Sequence, residues 1–128
     1  GLAGAILISA ANMGMVGRLP RDKVVAQSAG NAEALAGTSP AIMADELIAR
    51  AGDFDLIPRA HGLARQPLLV LTSDDGLKPL TDPVVTAVRA AGGQVSEAHQ
   101  PTDHSWSDAR LALAERVHNW LQALPAKR

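Results

Sequence analysis

Pro67-Leu68-Leu69-Val70-Leu71-Thr72-Ser73-Asp74-Asp75-Gly76-Leu77 is the stretch on which the fold of this chain turns. An unbroken apolar run opens on a proline and closes on two carboxylates and a glycine. A strand with one face in water alternates polar and apolar residues. This run does not alternate, so it predicts an interior strand of a parallel sheet covered on both faces. The polar Ser73-Asp74-Asp75-Gly76 then predicts a turn at the strand's carboxyl end. Working outward, Thr81-Asp82-Pro83 supplies a cap and a proline for a helix through Val84, Val85, Val88 and Ala91 that stops at Gly92-Gly93. Gln94 to Ala98 reads as a second, more polar strand, and Pro101-Thr102-Asp103-His104 as the loop after it. Ser107 or Asp108 opens a last helix, with Leu113, Val117, Trp120, Leu121 and Leu124 at helical spacing, ending before Pro125.

Upstream, Ala3-Gly4-Ala5-Ile6-Leu7-Ile8-Ser9 is another apolar run and predicts a first strand. Gly14, Gly17 and Pro20 break the pattern, and Asp22 caps a helix through Val24 and Val25 to about Leu35. Thr38-Ser39-Pro40 starts a further helix with Ile42, Met43, Leu47 and Ile48 on one face. Gly52 to Gln66 reads as a loop holding a helical turn. The expected fold class is α/β, with about three parallel strands, flanking helices and a short helical insertion. As one partial domain it divides into a strand at 1–11, a helical insertion at 12–66 and a strand-helix-strand-helix unit at 67–128.

The chain has 128 residues, 47% of them hydrophobic, and a net charge of -1. That is the composition of a globular protein. With a near-neutral balance and no run of five or more like charges, neither nucleic acid nor a membrane is expected as a partner. The absence of cysteine excludes disulfides, a thiol nucleophile and a thiolate zinc site. Leu2 to Ala11 is too short to span a bilayer and lacks the flanks of a signal peptide, which favours the cytoplasm. Three parallel strands bury little surface and leave an unpaired edge. The chain is therefore expected to be part of a larger fold, needing further polypeptide or a second subunit to complete its sheet.

Ligands of parallel α/β sheets gather beyond the carboxyl ends of the strands. Ser73 to Gly76 and Thr102 to Ser105 fall there. A carboxylate after one strand and an imidazole after the next can meet across adjacent strand ends. The carboxylate then fixes the imidazole tautomer, and the imidazole serves as a general base. The candidates are Asp74 or Asp75 with His104. His61, His99 and His118 lack this context. His118 is expected on the surface of the last helix, and the other two at loop or strand-end positions.

This order resembles the closing half of the α/β-hydrolase superfamily, whose esterases, lipases and dienelactone-hydrolase-like members carry serine, acid and histidine in that sequence. Pro67 to Leu77 looks like the acid-bearing strand. Thr102-Asp103-His104-Ser105-Trp106-Ser107-Asp108 looks like the histidine loop, and Ala5 to Ala11 is similar to the strand that follows the nucleophile helix. Met15 to Gly62 falls where members carry a variable helical cap. The resemblance implies Ser-His-Asp cleavage of an ester or related acyl bond in a small molecule, with no cofactor and no metal. His104 is the implied base and Asp75 the acid, because the family's aspartate lies a few residues past the strand; Asp74 is the alternative.

The family's serine sits in GxSxG at a strand-to-helix turn, and no GxSxG occurs here. The nearest match is Ala26-Gln27-Ser28-Ala29-Gly30, which stands in the right order but within a predicted helix. The serine is therefore expected upstream of this chain, with Ser28 as the alternative nucleophile. Met13, Met15, Leu19 and Ile42 to Ile48 suggest an apolar lining or ordinary packing. Two further readings are a noncatalytic interaction domain and a receiver-like module using the Asp74-Asp75 pair. For the latter, the polar strand Gln94 to Ala98 lacks an acceptor aspartate. A metal site from Asp74, Asp75, Asp103 and His104 has no recognised ligand spacing.

Overall fold

The four residues Leu68 to Leu71 are buried on both faces of a sheet in the computed structural model, which describes residues 2–32 and 35–124. They belong to β2 (Leu68–Ser73), the middle of three parallel strands in the order β1-β2-β3, with β1 at Ala5–Ile8 and β3 at Val95–Gln100. Ala5 is opposite Leu68 on one side of β2, and Val95 is opposite Leu68 on the other. The apolar run is thus the strand paired on both sides, and the polar composition of β3 is that of an edge. β1 is the other edge and is apolar: Ile6 and Leu7 are half-buried, and Ile8 is 41% exposed. The fold class is α/β, as the sequence predicts.

The chain divides into two compact units. Asn12–Leu56 forms one, and the segments on either side of it form the other. In the sheet unit, a 3₁₀ turn at Ile57–Arg59 and a short α-helix at Ala60–Leu63 precede β2, and both pack on the helix Lys78–Ala90. The predicted insertion, 12–66, therefore ends at Leu56, because the next residues belong with the sheet.

The helix Lys78–Ala90 begins earlier than Thr81-Asp82-Pro83 suggests, with Pro79 in its first turn and Pro83 inside it. Thr81 is not a cap. Its buried hydroxyl donates to the Ala10 carbonyl just beyond β1. Val84, Val85 and Val88 form the buried face. Gly92, at φ 83°, ends the helix. Its N–H bonds to the Arg89 carbonyl and that of Gly93 to the Val88 carbonyl, both at 2.9 Å, the paired bonds of a Schellman stop.

The last helix is Arg110–Ala123; Pro125 lies outside the described residues. Neither Ser107 nor Asp108 caps it, because the Asp108 carboxylate accepts the Thr102 hydroxyl. Leu69, Leu71, Trp106 and Ala109 form a buried cluster against which Ile6, Ala98, Leu113, Val117 and Trp120 pack. Gly4 lies so close to Trp120 that a Cβ there would meet the ring at 2.5 Å.

The Asn12–Leu56 unit contains a short helix at Met13–Val16 and two longer ones, Arg21–Ala32 and Pro40–Ala49, which pack on each other. Asp22 lies in the first turn of its helix and does not precede it. The predicted continuation through Glu33 and Ala34 lies outside the described residues. Ser39 caps Pro40–Ala49, accepting the Ile42 N–H at 3.3 Å. The two helices bury Val24 and Ala44, and Arg21 grips Asp45 with two bonds of 2.7 and 2.9 Å.

The unit's own ends are clasped together. Asn12 Nδ2 donates to Asp55 Oδ1 at 2.8 Å, and Asn12 Oδ1 accepts the Leu56 N–H at 3.1 Å. Arg18 meets Asp55 Oδ2 at 2.7 Å. No helix among the described residues is long and apolar enough to cross a membrane.

Candidate active site

Past Ser73 the backbone turns out of the sheet. The Asp74 N–H bonds to the Thr102 carbonyl at 3.0 Å, tying the turn after β2 to the loop after β3. Gly76, at φ 78°, gives the turn the left-handed residue it needs. Asp75 Oδ1 accepts the Leu77 N–H at 3.0 Å, which leaves Oδ2 to meet His104 Nδ1 at 2.9 Å. The structure thus brings together Asp75 and His104.

The Asp75 side chain is only 6% exposed, whereas that of His104 is 63% exposed. Burial pushes the Asp75 carboxyl up, but the Leu77 amide, the His104 imidazole and the Ser73 hydroxyl, all stabilising the anion, together hold it below the usual carboxylate range. Asp75 is therefore ionised at neutral pH. A carboxylate only accepts, so Nδ1 of His104 carries the shared proton and Nε2 of the neutral ring bears the lone pair. Nε2 makes no hydrogen bond among the described residues. An acid that fixes the tautomer and a basic nitrogen left open can together take a proton from a hydroxyl.

The loop that presents His104 is braced from within. Asp103 Oδ1 accepts the Ser107 N–H at 2.9 Å, and the Asp103 carbonyl accepts the Trp106 N–H at 3.0 Å. The Ser107 amide and hydroxyl are the main reasons that the Asp103 carboxyl is held low. This carboxylate is occupied by its own loop.

Asp74 does not face His104. Its Oδ1 meets His99 Nε2 at 3.0 Å, and His99 Nδ1 meets Thr72 Oγ at 2.9 Å. The two carboxylates of the acidic pair thus go to two different imidazoles. His99, expected only as a strand-end residue, is part of a second acid–imidazole pair. The signal that would have found it is the register, which sets Thr72 opposite His99. Among the described residues no group of three or more His, Asp or Glu side chains is placed to hold a metal ion.

Ser28 is buried inside the helix Arg21–Ala32, and its hydroxyl donates to the Val24 carbonyl at 2.9 Å. This is the ordinary backbone bond of a serine within a helix, with no strand-to-helix turn. Ser28 lies in the Asn12–Leu56 unit, while Asp75 and His104 lie in the sheet unit. Of the apolar residues suggested as lining, Met13, Leu19 and Ile42 are exposed, and Met15, Met43, Leu47 and Ile48 are half-buried among the helices of that same unit.

Sequence reasoning passed over Ser9. It follows β1 with a left-handed φ of 44° and is buried. Its Oγ lies 2.9 Å from Ser73 Oγ and accepts the Trp106 indole N–H at 3.0 Å. Trp106 is also left-handed, at φ 57°. Such a backbone costs a residue with a side chain about 1–2 kcal/mol. Comparison of the chain with protein-family profiles, curated proteins and solved structures gave no match.

Proposed function

We propose that Asp75 and His104 are the acid and base of a serine hydrolase of the α/β-hydrolase type that cleaves an ester or related acyl bond in a small molecule. The observation that carries this reading is the 2.9 Å bond between a buried carboxylate and an exposed imidazole at the carboxyl ends of adjacent parallel strands. The chemistry follows from that pair. His104 Nε2 takes the proton from a serine hydroxyl as its oxygen attacks the acyl carbon, and Asp75 stabilises the imidazolium. The imidazolium then protonates the departing oxygen. The acyl group stays on the serine until a water, deprotonated by the same nitrogen, releases it.

In this reading the serine comes from polypeptide outside these residues, either the N-terminal half of the fold or a second subunit. That polypeptide also completes the sheet along the outer edge of β1.

A fluorophosphonate, which reacts with activated serines, tests the reading on the native protein, with adducts mapped by mass spectrometry. The expected adduct lies on a serine outside this chain and is lost in His104→Ala. An adduct at Ser28 would place the nucleophile within the chain. Absence of any adduct that depends on His104 would overturn the hydrolase reading.

A further inference from the structure

We propose that Thr102 and Asp108 are positioning residues for His104: the Asp108 carboxylate fixes Thr102, and Thr102 holds the histidine loop to the turn that carries Asp75. This inference rests on Asp75 and His104 being the acid and base of the site.

Two rings of bonded groups meet at Thr102. In the first, the Thr102 carbonyl accepts the Asp74 N–H at 3.0 Å, the chain runs on to Asp75, Asp75 Oδ2 meets His104 Nδ1 at 2.9 Å, and Asp103 leads back to Thr102. In the second, the Thr102 hydroxyl donates to the Asp108 carboxylate and closes residues 102–108 on themselves, with His104 inside. The rings share Thr102, Asp103 and His104. A shift of Thr102 therefore alters the separation of Asp75 and His104 unless the first ring bends elsewhere, and the second ring opposes that shift.

Thr102 is suited to this place. It is 7% exposed, and each of its polar groups is engaged, because its N–H donates to the Gln100 carbonyl at 2.9 Å. The His104 side chain is 63% exposed. Rotamer freedom opposes the ordering of a side chain so open to water, so its aim depends on how firmly its backbone is held.

Asp108 supplies a second observation. It stands beside the start of the helix Arg110–Ala123, where an aspartate commonly caps. That helix start has no side-chain cap, and the Asp108 carboxylate reaches back to Thr102. The charge of Asp108 favours the helix start, whereas its acceptor oxygen holds Thr102. Substitution separates the two.

The test is the tautomer of the neutral His104 ring, read from its nitrogen NMR shifts in the full chain at mildly alkaline pH. The wild-type ring is expected to carry its proton on Nδ1. An imidazole without a fixed partner exchanges between both tautomers, so Thr102→Val and Asp108→Ala are each expected to lower the Nδ1–H share to about half, and the two together to do no more than either alone. Thr102→Ser keeps the hydroxyl and Asp108→Asn the acceptor, and both are expected to retain the wild-type tautomer. Exchange of the Asp74 amide is expected to quicken about tenfold in Thr102→Val while the amides of β2 hold. If Thr102→Val does not fold, Asp108→Ala, at an exposed residue, carries the test. An unchanged tautomer in Asp108→Ala, or a loss as large in Asp108→Asn, overturns the proposal. No serine enters this measurement. A tautomer that depends on Asp108 without a His104-dependent fluorophosphonate adduct keeps the brace and removes the hydrolase reading, and the reverse pattern keeps the reading and removes the brace.

Discussion

Asp75 combines two demands that oppose each other in most carboxylates: a dry surrounding and a retained charge. Burial favours the protonated form, and three hydrogen-bonding groups more than reverse it. The folded state therefore binds the proton less tightly than the unfolded chain, where an aspartate titrates near about 3.9. The stabilisation is fully present above that value and is lost as pH falls through the lower, folded midpoint. Urea denaturation from neutral pH downward should show this decline in the wild-type chain and a shallower one in Asp75→Asn. Equal slopes for the two would show that the carboxylate contributes nothing to the acid limb. The neighbouring carboxylate serves as a control. Asp74 is 64% exposed and bonds a surface imidazole, so Asp74→Asn should change stability by no more than about 0.5 kcal/mol.

At the scale of elements, the helix stop before β3 sets two different constraints on two adjacent glycines. A Cβ on Gly93 would stand 2.6 Å from Val88 Cγ1 and 2.9 Å from the Ala64 backbone, whereas one on Gly92 would meet only open space but require φ 83°. Gly93→Ala should therefore cost about 1–3 kcal/mol through overpacking, and Gly92→Ala about 1–2 kcal/mol through backbone strain. Thermal melts of both variants check the two sizes. Combining either with Val88→Ala in a double-mutant cycle separates the causes, because only the Gly93 clash involves the Val88 side chain.

Elements whose character is decided locally were legible in the sequence. β2 announces itself because burial on both faces removes alternation, and Ser39-Pro40 because a cap and a proline act on their own backbone. The start of Lys78–Ala90 was not legible, since the Thr81 hydroxyl is claimed by a carbonyl 71 residues away. The pairing of an acid with His104 followed from strand order. The His99 pair and Ser9 did not, because the first needs strand register and the second a left-handed φ that nothing in Leu7-Ile8-Ser9-Ala10 signals.

At the scale of the whole chain, the two units should also respond separately to damage. Asp55 is buried, holds Asn12 and Arg18, and closes the base of its own unit. Asp55→Ala leaves the buried Asn12 amide and the Arg18 charge without this partner, at a cost of about 3 kcal/mol. Hydrogen exchange should then show the amides of Arg21–Ala32 and Pro40–Ala49 losing protection while those of β2 keep theirs. Loss of protection in β2 to the same extent would mean that the chain unfolds as one body.

The clasp has a consequence for how the segment it closes can change. Because the Asn12 and Asp55 side chains and the Leu56 N–H bring the two ends together within the segment itself, a change of length between them is expected to leave that closure in place. Asn12–Leu56 has the form of a cassette, shut by residues of its own.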